Sequence, residues 1–315
     1  MFSTGGTIAS RWSDADGGFV AASSGDELVD SLHLGRDAAN LTVTELAREP
    51  SSALSPVSLF AWAQIAQREL DEGADGVVVT IGTNALEEAA FLFDLTVRSE
   101  SPVVFTGAMR TPDEVLSDGA QNLIDAIRVA GSDQCKGLGT LVVMNGEIHA
   151  ARDVIKTDAN GLDAFRSPTG GRIGTVARRG GLARIKYVPM HRQHIETTSI
   201  EPRVGYAKSV VGAGAEAVDP WIDRGYRGLV IEGFGGGEIS ADMSPAVERA
   251  LESGLSVVVA SRASRGGWND LYASPGEGAW LRARGVLFAG DLSGPKARVK
   301  LMLALCTNDT KSYFD

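Results

Sequence analysis

Hydrophobic positions along this chain switch repeatedly between short unbroken runs and helical spacing. Ser55-Pro56 offers an N-cap followed by proline at the first helical position, and Leu59, Ala63, Ala66 and Leu70 then fall near one face. The run Val77–Thr80 predicts a strand, Ala85 to about Val97 a helix, and Pro102–Thr106 another strand. A further helix is expected over Ser117–Ala130, with Leu123, Ala126, Ile127 and Ala130 at helical spacing, before the strand Leu141–Met144. Apolar runs without polar alternation suit strands covered on both faces, which means a parallel sheet.

The segment Arg152–Arg179 breaks this pattern, being polar, glycine-rich and aperiodic. It is too long for a casual connection and reads as a functional loop or an excursion with short strands. His191–Thr198 is polar and unpatterned, a natural linker. The alternation then restarts, with strands expected at Val204–Tyr206, Gly228–Ile231, Ser256–Val259 and Gly285–Phe288, and a last helix from about Pro295 to Cys306. The expected organisation is an α/β domain over 1–190, a linker over 191–201 and a smaller α/β domain over 202–315.

Composition narrows the function. The 315 residues carry a net charge of −10 with 43% hydrophobic and 22% charged residues, which is globular and argues against nucleic-acid or anionic-membrane partners. No apolar stretch approaches the ~20 residues of a membrane span, and the N-terminus lacks a basic, apolar leader. A cytoplasmic protein is expected. Cys135 and Cys306 have no CxxC spacing and read as inert thiols in a reducing compartment. His191 and His194 lack a third ligand, and Asp113, Glu114 and Asp118 are not read as a cation site. The Gly233–Gly237 run resembles a dinucleotide loop, but no acidic residue ends a strand about 20 residues later. No metal or organic cofactor is expected.

Two threonine-glycine turns carry the chemistry: Thr4-Gly5-Gly6-Thr7-Ile8-Ala9-Ser10 and Thr80-Ile81-Gly82-Thr83-Asn84. The second joins a predicted strand to a predicted helix. A hydroxyl on such a turn is exposed, oriented and close to backbone N–H donors, as a threonine-nucleophile amide hydrolase requires.

With these residues in view, the chain resembles the bacterial-type L-asparaginase/glutaminase family over nearly its whole length. Thr4–Ala9 matches that family's N-terminal signature, and Thr80–Asn84 stands where it has Thr-His-Gly-Thr-Asp. Pro102–Arg110, Ser117–Gly119 and Asn122-Leu123 follow as in the family, and Glu147–Thr157 is very similar to its lysine-bearing segment. The resemblance implies a flavodoxin-like, doubly wound parallel sheet in the N-terminal domain and a smaller α/β C-terminal domain. It also implies a homotetramer, a dimer of dimers with shared active sites between domains of two subunits, and no cofactor.

By the same resemblance, Thr7 takes the position of the nucleophile, with Thr83 and Lys156 as the second threonine and the lysine that polarises it. Ser51 and Ser52 resemble the pair holding the substrate's α-carboxylate. The backbone of Gly82 lies in a turn suited to donate to an oxyanion, a donor of a kind whose loss costs ~3–4 kcal/mol. A lysine sequestered from water has a lowered pKa and can accept a proton through a second hydroxyl. The expected course is attack by Thr7, an acyl-enzyme, loss of ammonia and hydrolysis.

Four departures qualify this. Asn84 replaces the family aspartate that anchors the substrate's α-ammonium, and Ile81 replaces a histidine. Phe19 stands for the flap tyrosine that touches the nucleophile, and Glu238 ends a C-terminal signature that usually ends in asparagine. Glu238 can restore, from a neighbouring subunit, the charge lost at Asn84. Asn84 with Glu87 also fits a plain helix N-cap with an acidic third position. Only Met1-Phe2-Ser3 precede the first signature, so the strand feeding Thr7 is expected to be almost absent. The leading expectation is hydrolysis of L-asparagine or an analogue. The alternatives are a relative retuned to an amide, imide or lactone lacking an α-ammonium, and a silent amino-acid-binding homologue.

Overall fold

The computed structural model describes residues 1–32, 39–177, 183–189 and 192–314. The chain separates into two compact units, Met1–His194 and Ile195–Asp315.

The first unit runs β1 (Phe2–Ser3), β2 (Ser10–Ser13), β3 (Gly18–Ala21), α1 (Gly25–Ser31), β4 (Thr44–Glu45), α2 (Pro56–Asp71), β5 (Val77–Thr80) and α3 (Leu86–Thr96). It continues with β6 (Val103–Thr106), α4 (Gly119–Ala130), β7 (Thr140–Met144), β8 (Glu147–Ala150), β9 (Ile155–Lys156), β10 (Phe165–Arg166), β11 (Gly174–Val176) and β12 (Ala183–Ile185). Its main sheet has the order β12-β11-β8-β7-β6-β5-β1-β4. The five strands from β4 to β7 are parallel, while β8, β11 and β12 extend the sheet antiparallel. Counting only the parallel strands in chain order gives 2-1-3-4-5, the flavodoxin-like winding, whose connections diverge between β1 and β5.

That winding decides where chemistry can sit. At the divergence, the loops leaving the carboxyl ends of β1 and β5 face a common crevice. They are the two threonine-glycine turns.

Strands β5, β6 and β7 are buried throughout, with Val77–Thr80, Val103–Thr106 and Thr140–Met144 all inaccessible, which is why they read as unbroken apolar runs. Strand β1 is short but present. It pairs with β4 and β5 on its two sides, and the Thr4 N–H and hydroxyl both donate to Thr80 O, at 3.1 and 2.9 Å. Partners on both sides, rather than length, therefore hold it. Helix α2 begins as expected, with Ser55 Oγ accepting from Ser58 N at 3.0 Å and proline at the first helical position.

Helix α4 starts two residues later than the periodicity predicts, because the Asp118 carboxylate accepts the N–H groups of Met109 and Arg110 and the Asn122 amide instead of capping its own helix. The aperiodic stretch after Arg152 contains the short strands β9, β10 and β11; its residues 178 and 179 lie outside the described residues, as does His191.

The second unit runs β13 (Val204–Lys208), α5 (Asp219–Asp223), β14 (Gly228–Gly233), α6 (Ser244–Glu252), β15 (Ser256–Ser261), α7 (Gly278–Ala283), β16 (Leu287–Phe288) and α8 (Gly294–Ala304). Its four strands form one parallel sheet in chain order. The last strand is two residues shorter than expected, because Gly285 lies in the left-handed region at φ +82° and the chain is still turning there. No helix among the described residues is long and apolar enough to cross a membrane.

Candidate active site

The turn after β1 becomes a single 3-10 turn over Thr7–Ala9, entered through Gly6 at φ +80°. Only glycine adopts that conformation without strain. Glycine is needed there a second time, because a Cβ on Gly6 would stand 2.4 Å from both Cα and N of Gly82. The two turns thus touch backbone to backbone, each immediately before its threonine. Gly82 in turn packs on Ser51: a Cβ there would lie 2.7 Å from Ser51 Oγ.

Ser51 opens a 3-10 turn over Ser51–Ala53, is buried, and accepts the Ala85 N–H at 3.3 Å. Ser52 on the same turn is exposed. Three loops, after β1, after β4 and after β5, are therefore locked together at one end of the sheet.

Thr83 is buried and Asn84 beside it is exposed. Lys156, on β9, reaches both: its ammonium donates to Thr83 Oγ1 at 2.9 Å and to Asn84 Oδ1 at 3.4 Å. Burial pushes this ammonium below the ordinary lysine range, while the Glu87 carboxylate works in the opposite direction. The Thr7 side chain is partly exposed and has no hydrogen-bond partner among the described residues.

The helix-cap reading of Asn84 does not hold. Helix α3 starts at Leu86 with Ala85 at the N-cap and no side-chain cap. The Asn84 side chain faces the lysine instead, while the Ala85 N–H is met from another loop by the Ser51 hydroxyl. Glu87 likewise reaches beyond its own helix; its Oε2 accepts the Lys156 backbone N–H at 2.5 Å. Sequence reasoning noticed Glu87 only as a capping acid. No local signal points from it to a peptide 69 positions away.

Phe19 lies on the β2–β3 hairpin that leaves the Thr7 turn. It is half exposed and meets Trp12 edge-on, with ring centroids 5.3 Å apart. The hairpin is tied down by Arg11, whose guanidinium meets Asp113 at 2.7 Å. Arg152 and Asp153 form an ion pair at 3.0 Å. Glu238 belongs to the second unit, where its carboxylate accepts the Gly236 N–H at 2.8 Å.

The arrangement can hold a small polar molecule against backbone donors and move a proton between a hydroxyl and an amine. Two family models match: "Asparaginase, N-terminal" over residues 1–188 and "Glutaminase/Asparaginase C-terminal domain" over residues 203–314. An L-asparaginase of Bacillus licheniformis is 32% identical over 98% of this chain and 95% of its own. One chain of a glutamyl-tRNA(Gln) amidotransferase from Methanosarcina mazei is 31% identical over 98% of this chain and 74% of its own. The crystal structure of a probable cytoplasmic L-asparaginase from Campylobacter jejuni superposes with a TM-score of 0.88 at 31% identity, covering 99% of this chain and 96% of that one.

Proposed function

Since this chain belongs to the asparaginase/glutaminase family of amide hydrolases, we propose that it hydrolyses a small amide, L-asparagine or a close analogue, to the acid and ammonia through Thr7. The observation that carries this reading is the 2.9 Å bond between the Lys156 ammonium and Thr83 Oγ1, on a turn packed directly against the turn of Thr7.

In the proposed course, Thr7 Oγ1 attacks the amide carbon and its proton passes by way of Thr83 to Lys156 in its neutral form. The lowered lysine pKa supports this direction of transfer. The developing oxyanion is met by backbone N–H groups of the glycine turns, Gly82 among them. Ammonia leaves with a returned proton, and water attacks the acyl-Thr7 ester to release the acid. Ser51 and Ser52 receive the substrate's carboxylate, and Phe19 covers the nucleophile without contributing a hydroxyl.

A homotetramer, a cytoplasmic location and a Glu238 carboxylate supplied by a second copy to the substrate's amine belong to the same proposal. Loss of activity in Glu238→Gln with activity kept in Asn84→Asp supports the last of these.

One observation favours a second reading. Asn84 is neutral, and its Oδ1 already receives the Lys156 ammonium, so the turn offers no carboxylate to an α-ammonium. A retuned enzyme acting on an amide, imide or lactone without that group fits this. Product release from L-asparagine, L-glutamine, D-asparagine, simple amides and lactones, each with a Thr7→Ala control, separates the two. Ammonia released from L-asparagine only by the unmodified protein supports the first reading. Turnover confined to substrates without an α-ammonium supports the second.

A further inference from the structure

Resting on the hydrolase reading above, we propose that Glu87 is a positioning residue of this site, whose carboxylate acts by two routes at once, accepting the Lys156 peptide and attracting the lysine ammonium, so that the ammonium stays on Thr83.

Lys156 needs such a hold because of where it sits. Strand β9 has two residues and, among the described residues, pairs only with β10, also of two residues, in a sheet separate from the main one. A ribbon of this size is marginal by itself. Helix α3 is the opposite, with Leu86, Ala89, Ala90, Leu92 and Phe93 all fully buried. Glu87 stands in its first turn and accepts the Lys156 N–H at 2.5 Å. One continuous segment therefore grips the lysine at both ends: Thr83 and Asn84 take the ammonium, and Glu87 takes the peptide.

Charge adds a second consequence. Both described partners of the ammonium are uncharged, and the carboxylate whose field reaches it is Glu87, from the helix beyond the turn. Removing that charge while keeping an acceptor separates the two contributions.

The test uses Glu87→Gln and Glu87→Ala in the full-length protein, with L-asparagine turnover and NMR titration of ¹³Cε-labelled lysine. Loss of a resonance in Lys156→Met assigns the signal, so its midpoint is read whether or not the protein turns over. Glu87→Ala is expected to lower kcat by about ten- to a hundredfold with KM changed less than about threefold. Glu87→Gln is expected to recover most of kcat and to move the Lys156 midpoint down by about 1 on the pH scale. Wild-type kcat in both variants together with an unmoved midpoint overturns the proposal.

If Glu87→Ala does not fold, Glu87→Gln decides through the midpoint: a downward move supports the proposal and an unmoved one overturns it. The same rule applies if no ammonia is released. Ammonia release that survives in Thr7→Ala sinks the nucleophile assignment alone, and the midpoint still decides the case for Glu87.

Discussion

Gly6 and Gly82 lie backbone against backbone, so close that a methyl group on Gly6 would stand 2.4 Å from both Cα and N of its neighbour. Gly6 also holds φ +80°. Alanine at this position meets a steric and a conformational obstacle together, and neither obstacle is the end of a flexible side chain. Gly6→Ala is expected to lower unfolding free energy by about 2–3 kcal/mol and to abolish turnover even where the protein stays folded. Urea unfolding beside an ammonia assay checks this; unchanged stability contradicts the close packing of the two turns.

In the proposed course Lys156 is the proton acceptor. Lys156→Met keeps much of the side-chain volume and removes the amine, so kcat should fall by about 10²–10⁴-fold with a modest change in KM, as expected for loss of general acid–base help. A variant that loses only KM would assign the lysine to substrate binding.

Asn84→Asp puts a carboxylate where the Lys156 ammonium now meets an amide oxygen at 3.4 Å. It should improve KM for L-asparagine by about tenfold relative to the des-amino analogue, since a charge-assisted bond to an α-ammonium adds about 1.5 kcal/mol. The same charge should raise the Lys156 pKa and move the acidic limb of kcat to higher pH. Equal changes in KM for the two substrates would contradict an amine-side role for position 84.

His149 gives the fold a pH dependence unrelated to turnover. Its ring is buried on β8, with Nδ1 2.9 Å from Ser167 Oγ. Nε2 faces Glu147 Oε2 at 3.3 Å without hydrogen-bond geometry. Burial pushes its pKa down to about 4, against the opposing field of Glu147; Arg166 and Arg172 lower it further.

The unfolded chain takes up this proton near pH 6.5, so between about 6.5 and 4 it binds more protons than the folded one. The stability contributed by a neutral His149 is therefore full above pH 6.5 and is lost as the pH falls toward 4, a decline of roughly 2–3 kcal/mol. Urea unfolding from pH 7 to 4 should show a shallower decline in His149→Gln than in the unmodified protein. Parallel declines would contradict the assignment.

Much of this could be read from the chain. Strands β5, β6 and β7 announced themselves because burial on both faces leaves no polar alternation, and Ser55-Pro56 marked the start of α2 by capping chemistry alone. The meeting of Lys156 with Thr83, on a turn packed against that of Thr7, was legible through the resemblance that their segments carry.

Other features depend on pairings distant in sequence. Two-residue β1 is a strand only because β4 and β5 flank it. Asn84 looked like a helix cap because its actual partner, the Lys156 ammonium, is 72 positions away in sequence. Glu87 looked like a capping acid because its partner is a peptide N–H, which every non-proline residue carries and no sequence pattern singles out.

The most direct test of a threonine nucleophile is to trap the intermediate. Protein turning over L-asparagine is quenched in acid within milliseconds, digested with pepsin and mapped by mass spectrometry. If Thr7 is the nucleophile, the peptide containing it, and not that containing Thr83, gains the mass of the substrate's acyl group without its amide nitrogen, and Thr7→Ala shows neither adduct nor ammonia. An adduct on another residue, or turnover persisting in Thr7→Ala, would contradict that assignment.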